Sequence, residues 1–310
     1  MRVLVLGGTG FLGRHVVAAL AARDHVVFVG TRRPQRGADH DDDGPLRRLT
    51  RFEWLTEPAR WEPLLEGVDA VVNCVGILRE RGAATYERVH LVAPAALAAA
   101  CKAARVRRLI HVSALGLRRN ARSRFVLSKL RGEMALSRSG MPCTIVRPSL
   151  LEGNGGFGSD WLRRMARWPV HWIPEDAVGR IAIVDVRDVA DAIAVLCVRP
   201  PPQRLHTVEL GGRSAFTLAE YLAMLRQLEG RRRAPLVRLP PQAARLLAHA
   251  CDLLHVTPFS YGHLELLRRD NVPAMNNLPR LLERPLHGLA SALVTPSGWD
   301  TVRHAAWRIG

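Results

Sequence analysis

Short apolar runs recur through the first half of the chain, and helix-periodic stretches separate them. Residues 3–6, 26–29, 52–55, 70–74, 109–113 and 144–147 have the length and composition of buried strands. Residues 14–22, 61–65, 86–104 and 128–138 carry apolar positions at helical spacing between them. Strands alternating with helices predict an α/β fold, a Rossmann-type doubly wound parallel sheet with helices on both faces. Ala93-Pro94 falls inside the longest helical stretch. Proline has no N–H to give to the preceding turn, so a kink or break is expected there.

The pattern changes after Arg147-Pro148. Gly153-Asn154-Gly155-Gly156 predicts a turn, and residues 161–172 form an amphipathic stretch bearing Trp161, Trp168 and Trp172. Residues 181–184 read as a strand and 188–197 as a helix, with Asp185 or Asp188 near its N-cap. Pro200-Pro201-Pro202 reads as a stiff turn, 208–210 as a further strand, and 218–228 as a helix capped by Thr217. Beyond residue 235, short helices such as 242–254 alternate with proline-rich turns. The expected division is a cofactor-binding unit at 1–150, with 181–212 returning to its sheet. Residues 151–180 and 213–310 would form a smaller, mostly helical subdomain, a substrate lid or a docking region.

Composition narrows the class. The 310 residues are 48% hydrophobic, ordinary for a globular protein, and no run is apolar enough to span a bilayer. An apolar strand starting at residue 2 shows no signal or transit peptide in this form, so either a cytoplasmic location or an already removed presequence is expected. Cys74, Cys101, Cys143, Cys197 and Cys251 are scattered without ligand spacing, so neither disulfides nor a metal site is expected. The acidic run at 39–45 lacks calcium-loop spacing and reads as a solvated loop. The net charge of +17 fits an anionic membrane, an acidic partner or nucleic acid. Arginine is spread along the whole chain and aromatics are only 5%, which weighs against nucleic acid.

The chemistry begins at Gly7-Gly8-Thr9-Gly10-Phe11-Leu12-Gly13, between the first strand and the first helix. Gly7 permits a tight turn, Gly10 lets the backbone approach a pyrophosphate, and Gly13 lets the helix pack on the strand. The N–H groups and positive dipole end of that helix would then face the phosphates. A tight turn without a ligand is the alternative. The second strand runs into Gly30-Thr31-Arg32-Arg33, with no acid to hold a ribose 2′-hydroxyl. Arg32 and Arg33 suit a 2′-phosphate, which predicts NADP(H) over NAD(H). Asn73-Cys74-Val75-Gly76 ends the fourth strand where a cofactor ribose would lie, so Asn73 and Gly76 join the candidate site.

These motifs, with His111-Val112-Ser113-Ala114 and Arg147-Pro148-Ser149, resemble an extended short-chain dehydrogenase/reductase. More narrowly, Tyr86-Glu87-Arg88-Val89-His90, Ser128-Lys129-Leu130-Arg131-Gly132-Glu133 and Phe259-Ser260-Tyr261-Gly262-His263 resemble an atypical group. That group contains the dehydrogenase-like accessory subunit of respiratory complex I and its bacterial relatives, some of which are labelled nucleotide-sugar epimerases. The resemblance implies that Lys129 binds the nicotinamide ribose, that Ser113 bonds a substrate oxygen and that Pro148 borders the cofactor. It also exposes departures. Phe125 stands where active members carry the proton-transferring Tyr, His90 where they carry Asn, and Trp54 where an Asp would contact adenine. Loss of a general acid typically costs about 10²–10⁴ in rate. His90, Tyr86 or Ser113 could stand in as the relay, against the plainer readings of packing and pocket hydrogen bonds.

The resemblance therefore implies an NADP(H)-binding accessory or assembly factor of a respiratory quinone enzyme, weakly catalytic or inactive. It would be cytoplasmic and peripheral to the inner membrane, docked on a membrane-associated respiratory complex or an anionic lipid surface through a face such as 243–254. The alternative is an NADP(H)-dependent reductase, epimerase or dehydratase of an unnamed small molecule with a relocated proton donor. A redox sensor without turnover is a third reading.

Overall fold

A computed structural model describes residues 1–32, 46–199, 205–254 and 260–289. Arg33, the acidic loop, the triple proline and Phe259 lie outside these residues. Strand β1 (Arg2–Leu6) passes through the glycine turn into α1 (Phe11–Ala21), and β2 (Val26–Thr31) and β3 (Arg47–Leu49) follow. Helix α2 (Glu62–Leu65), β4 (Ala70–Asn73), α3 (Ala93–Ala103), β5 (Arg108–Val112), α4 (Arg124–Arg138) and β6 (Cys143–Pro148) continue the alternation.

The second half adds a short strand β7 (Leu151–Glu152), α5 (Phe157–Ala166), β8 (His171–Pro174), β9 (Val184–Asp185) and α6 (Val186–Val198). It closes with β10 (Leu205–Leu210), α7 (Leu218–Leu228), β11 (Leu236–Leu239), α8 (Pro241–Leu254), α9 (Tyr261–Leu267) and α10 (Leu278–Leu282).

Seven strands form one sheet in the order β10-β6-β5-β4-β1-β2-β3, and every pair is parallel. The chain winds outward from β1 to β3, then crosses back to β4. The connections leaving β1 and β4 therefore diverge to opposite faces, which opens a crevice at the carboxyl ends of the central strands. One face is covered by α1 and α6, whose Val16, Leu20, Val189 and Ile193 are fully buried. The other is covered by α3, α4 and the segment around Phe52 and Trp61. Buried side chains such as Leu97, Leu109 and Ile145 each contribute about 1.5–3 kcal/mol. A further apolar cluster joins α5, β8 and α7 around Tyr221, Leu222 and Ile173.

Several elements differ from expectation. The third strand is Arg47–Leu49, not 52–55. Phe52–Trp54 is a 3-10 turn instead, with Phe52 packed edge-to-face on buried Trp61 at 5.5 Å. An arginine-rich edge strand with exposed ends has no apolar run to betray it. Of the apolar residues that looked like a strand, Phe52 and Leu55 pack under the helical layer. Residues 161–172 do not form one element, since α5 ends at Ala166 and Trp172 lies on β8. Residues 181–184 shrink to isolated bridges at Ile181 and the two-residue β9. Helix α4 starts at Arg124, four residues early, because the Ser123 side chain accepts the Val126 N–H as its N-cap. At Ala93-Pro94 the expected break is present: a π-turn at Arg88–Val92 precedes α3.

Candidate active site

The glycine turn is tightly closed. Gly7 has φ +70°, and the Gly10 N–H donates to the Gly7 carbonyl at 2.8 Å. A Cβ on Gly13 would lie 2.1 Å from that same oxygen, so no other residue fits there. Gly10 is the N-cap of α1 and offers no side chain to the first-turn N–H groups, and that turn carries no acid. Those donors and the helix dipole are left for an anion. Thr9 and Gly10 are exposed, Leu12 is buried, and Phe11 borders the cavity described below.

Across the crevice, β4 ends at fully buried Asn73. Its Oδ1 accepts the Val75 N–H at 3.0 Å, and its Nδ2 lies 3.1 Å from His111 Nδ1. The side chain thus shapes the turn leading to Gly76. A Cβ at Gly76 would stand 3.6 Å from Lys129 Nζ and 4.0 Å from His90 Nε2, so this glycine keeps the approach to both open.

His90 is held at both ring nitrogens. The Ile77 N–H donates to Nε2 at 3.2 Å, which puts the ring proton on Nδ1, 2.8 Å from Ser128 Oγ. Ser128 in turn donates to the Phe125 carbonyl at 2.8 Å. Burial, then the Lys129 charge, lower the His90 pKa to about 2. Burial and the same lysine lower that of His111 to about 3. A neutral imidazole with both nitrogens engaged positions its neighbours and is poorly placed to relay protons. Tyr86 does share its face, with rings stacked at 5.5 Å, but its hydroxyl donates to the Leu78 carbonyl at 2.7 Å. Burial raises the Tyr86 pKa to about 12.

Phe125 closes this cluster, its ring 6.0 Å from Tyr86, 5.9 Å from His90 and 5.9 Å from His263. Lys129, one turn further along α4, places Nζ 5.9 Å from the Phe125 ring centroid. Burial lowers the Lys129 pKa to about 8, with Glu133 opposing the shift.

Lys129, Phe125, Ser113 and Pro148 border one cavity of about 660 Å³ at the carboxyl edge of the sheet. Its wall is mostly apolar, with contributions from Leu162, Met165 and Leu266. Among the described residues, three polar atoms in that wall are buried without a hydrogen-bond partner: Ser113 Oγ, Trp161 Nε1 and Asn271 Oδ1. Each such atom costs about 1–3 kcal/mol unless something bonds it. Trp161 and Asn271 had no motif to announce them. Only the tertiary packing of α5 and of the segment after α9 brings them into the same cavity wall as Ser113.

Two expected contacts read differently. Arg32 stands exposed at the end of β2, and its companion Arg33 lies outside the described residues. Trp54 neither follows the third strand directly nor fills core. It is half exposed, with the Arg88 guanidinium 5.1 Å from its ring centroid.

Comparison with known proteins agrees with the glycine turn. Residues 7–194 match a family model described as NAD(P)H-binding. The chain belongs to this NAD(P)H-binding family. It is 30% identical over 285 residues to the ceramide reductase of Caulobacter vibrioides, covering 88% of this chain and 86% of that protein. It is also 30% identical over 227 residues to mitochondrial NADH dehydrogenase [ubiquinone] 1 alpha subcomplex subunit 9 of Dictyostelium discoideum. That match covers 71% of this chain and 62% of the subunit, so the chain spans less than two thirds of the subunit's length. The resemblance to the atypical short-chain dehydrogenase group is thereby borne out. Among solved structures, Citrobacter sp. triphenylmethane reductase complexed with NADP(H) superposes with a TM-score of 0.71. At 17% identity, covering 94% of this chain and 98% of the other, that likeness shows the fold.

The residues of this NAD(P)H-binding chain fit the cofactor. The Gly7–Gly13 turn has room only for backbone, the α1 N-terminus is uncapped, and Gly76 keeps Lys129 reachable from the crevice.

Proposed function

We propose that the protein is an NADP(H)-preferring reductase of a carbonyl group carried on a long apolar molecule. The observation that carries this reading is the apolar cavity beside Lys129, in which Ser113, Trp161 and Asn271 present unpartnered polar atoms. A wholly apolar ligand would leave those atoms unsatisfied, and a small polar one would leave the walls dry. An amphiphile with a carbonyl and further hydrogen-bonding groups at its polar end satisfies both. The likeness to a ceramide reductase points to the same substrate class.

The Gly7–Gly13 turn would hold the pyrophosphate, Arg32 and Arg33 a 2′-phosphate, and Lys129 the nicotinamide ribose. The bound cofactor supplies a hydride to the carbonyl carbon. Ser113 Oγ donates a hydrogen bond to the carbonyl oxygen and orients it. As the C=O π bond breaks, that oxygen needs a proton to become the alcohol. Lys129 is our choice of donor, since burial lowers its pKa to about 8 and makes its ammonium a stronger acid than an exposed lysine. His90 and Asn73 fix the position of α4 and of the turn around Gly76.

The test is NADPH oxidation by the purified protein with a long-chain ketone amide in detergent, against a short-chain analogue. Turnover of the long-chain compound is expected, preferring NADPH over NADH, with Lys129→Met slower by about 10²-fold or more. Cofactor binding without oxidation for any ketone would support the second reading instead, a non-catalytic accessory protein of a membrane complex. Phe125 in the place of a proton-transferring Tyr and the likeness to a complex I subunit favour that reading.

A further inference from the structure

Helix α8 turns its apolar side outward. Ala244 and Ala248 are fully buried against the protein. Part of its polar side is engaged by protein: the exposed His249 ring stacks on Tyr261 at 4.7 Å, and half-buried Asp252 accepts from Arg79 at 3.1 Å and from the Tyr261 N–H at 3.0 Å. Its exposed side carries Ala243, Leu246, Leu247, Ala250, Leu253 and Leu254, with Leu246 at 73%, Leu253 at 80% and Leu254 at 67% exposure, flanked by exposed Gln242, Arg245 and His249. A helix on a water-facing surface has the opposite arrangement.

This face runs directly into the cavity. Leu247 and Cys251 of α8 border it, together with Trp168 and Trp172, which are themselves 39% and 47% exposed. Indole rings at the margin of an apolar patch match the preference of tryptophan for the lipid headgroup level. The nearby surface is mainly basic, with exposed Glu175, just after β8, as an acid among the arginines. Arg164, Arg232, Arg233, Arg238 and Arg245 are exposed and have no carboxylate partner among the described residues. No described helix is long and apolar enough to cross a membrane, whereas α8, about 21 Å long at 1.5 Å per residue, suits lying in the interface plane.

We propose that α8 with Trp168 and Trp172 is a docking surface for an anionic phospholipid bilayer, set so that the cavity mouth opens onto the lipid. Leu246 and Leu254 enter the acyl boundary, the tryptophans sit at the headgroups, and the arginines meet lipid phosphates. The route of substrate entry rests on the reductase reading; the docking does not, since it is measured without turnover.

The experiment is flotation of the whole protein with vesicles of phosphatidylcholine, alone or mixed with phosphatidylglycerol. Wild type is expected to float with the mixed vesicles, less with the neutral ones, and less as salt rises. L246S/L254S should lower the bound fraction at least about tenfold. Its thermal midpoint and NADPH affinity should stay at wild-type values, because neither leucine touches the cavity or the core. Three results would overturn the proposal: no flotation of wild type, equal flotation of the variant, or a wild-type dimer in ultracentrifugation that the variant dissolves, which makes the face a self-interface. Ketone turnover in detergent without vesicle binding would sink the docking alone. Vesicle binding without turnover would sink the reductase reading alone.

Discussion

The bare Cα of Gly132 packs against the main-chain carbonyl of His90 so closely that a Cβ there would lie 1.9 Å from the oxygen. Pro94, four residues after His90, has no N–H to satisfy that carbonyl in the α-helical manner. The π-turn and α4 can therefore approach with their backbones, which brings the His90 ring to Ser128 and Lys129 to Gly76. Gly132→Ala is expected to destabilise the protein by about 1–3 kcal/mol and to weaken NADPH binding, as α4 shifts away from the crevice. Urea denaturation and calorimetry read the two effects. An unchanged midpoint would show that the two backbones part at no cost.

Three histidines are held neutral by burial. The pKa of His90 is lowered to about 2, of His111 to about 3 and of His15 to about 4. In the unfolded chain they titrate near 6.5, so below that pH the unfolded state binds protons that the folded state refuses. Their contribution is fully present above pH 6.5 and is lost as pH falls toward the folded values, at up to about 1.4 kcal/mol per pH unit for each. Denaturation midpoints should fall steeply from pH 6.5 to 4.5. His111→Gln, which keeps a partner for Asn73, should flatten that fall, and a parallel curve would contradict the assignment.

Phe125 borders the cavity and lies 5.9 Å from Lys129 Nζ. Phe125→Tyr places a hydroxyl near the lysine, whose charge lowers a phenol pKa. Ketone reduction should rise about tenfold or more, with NADPH affinity little changed. A fall in rate with intact binding would mean that the hydroxyl points away from the cavity.

Arg32 stands at the end of β2, where a doubly wound sheet receives the adenosine ribose. Arg32→Ala should reduce the preference for NADPH over NADH about tenfold, through weaker NADPH binding alone. Equal losses for both cofactors would assign Arg32 a general role in the loop.

Much of the fold was legible before the structure. Strand β1, the Gly7–Gly13 turn and α1 follow from local pattern, because a strand buried on both faces needs a continuous apolar run and the turn needs residues without Cβ. Helix α7, with Thr217 and Glu220 forming a capping box, was readable for the same local reason. The edge strand β3 was not. Its pairing with β2 is a long-range choice that its arginines do not advertise. Within the candidate site, Gly76 could be named from its strand-end turn, and Lys129 and Ser113 from the family resemblance. That His90 is locked neutral could not, since it depends on Ile77 and Ser128 arriving from other elements.

The chain by itself determined the parallel sheet and the glycine turn, because both are written in the residue order of one or two adjacent elements. Tertiary structure alone decided that Trp161 and Asn271 share a cavity with Ser113, and that α8 turns its leucines outward. The physical reason is the same for both. Periodicity shows that a helix has an apolar side, but only the packing of its other sides decides whether that side meets core, cavity or solvent.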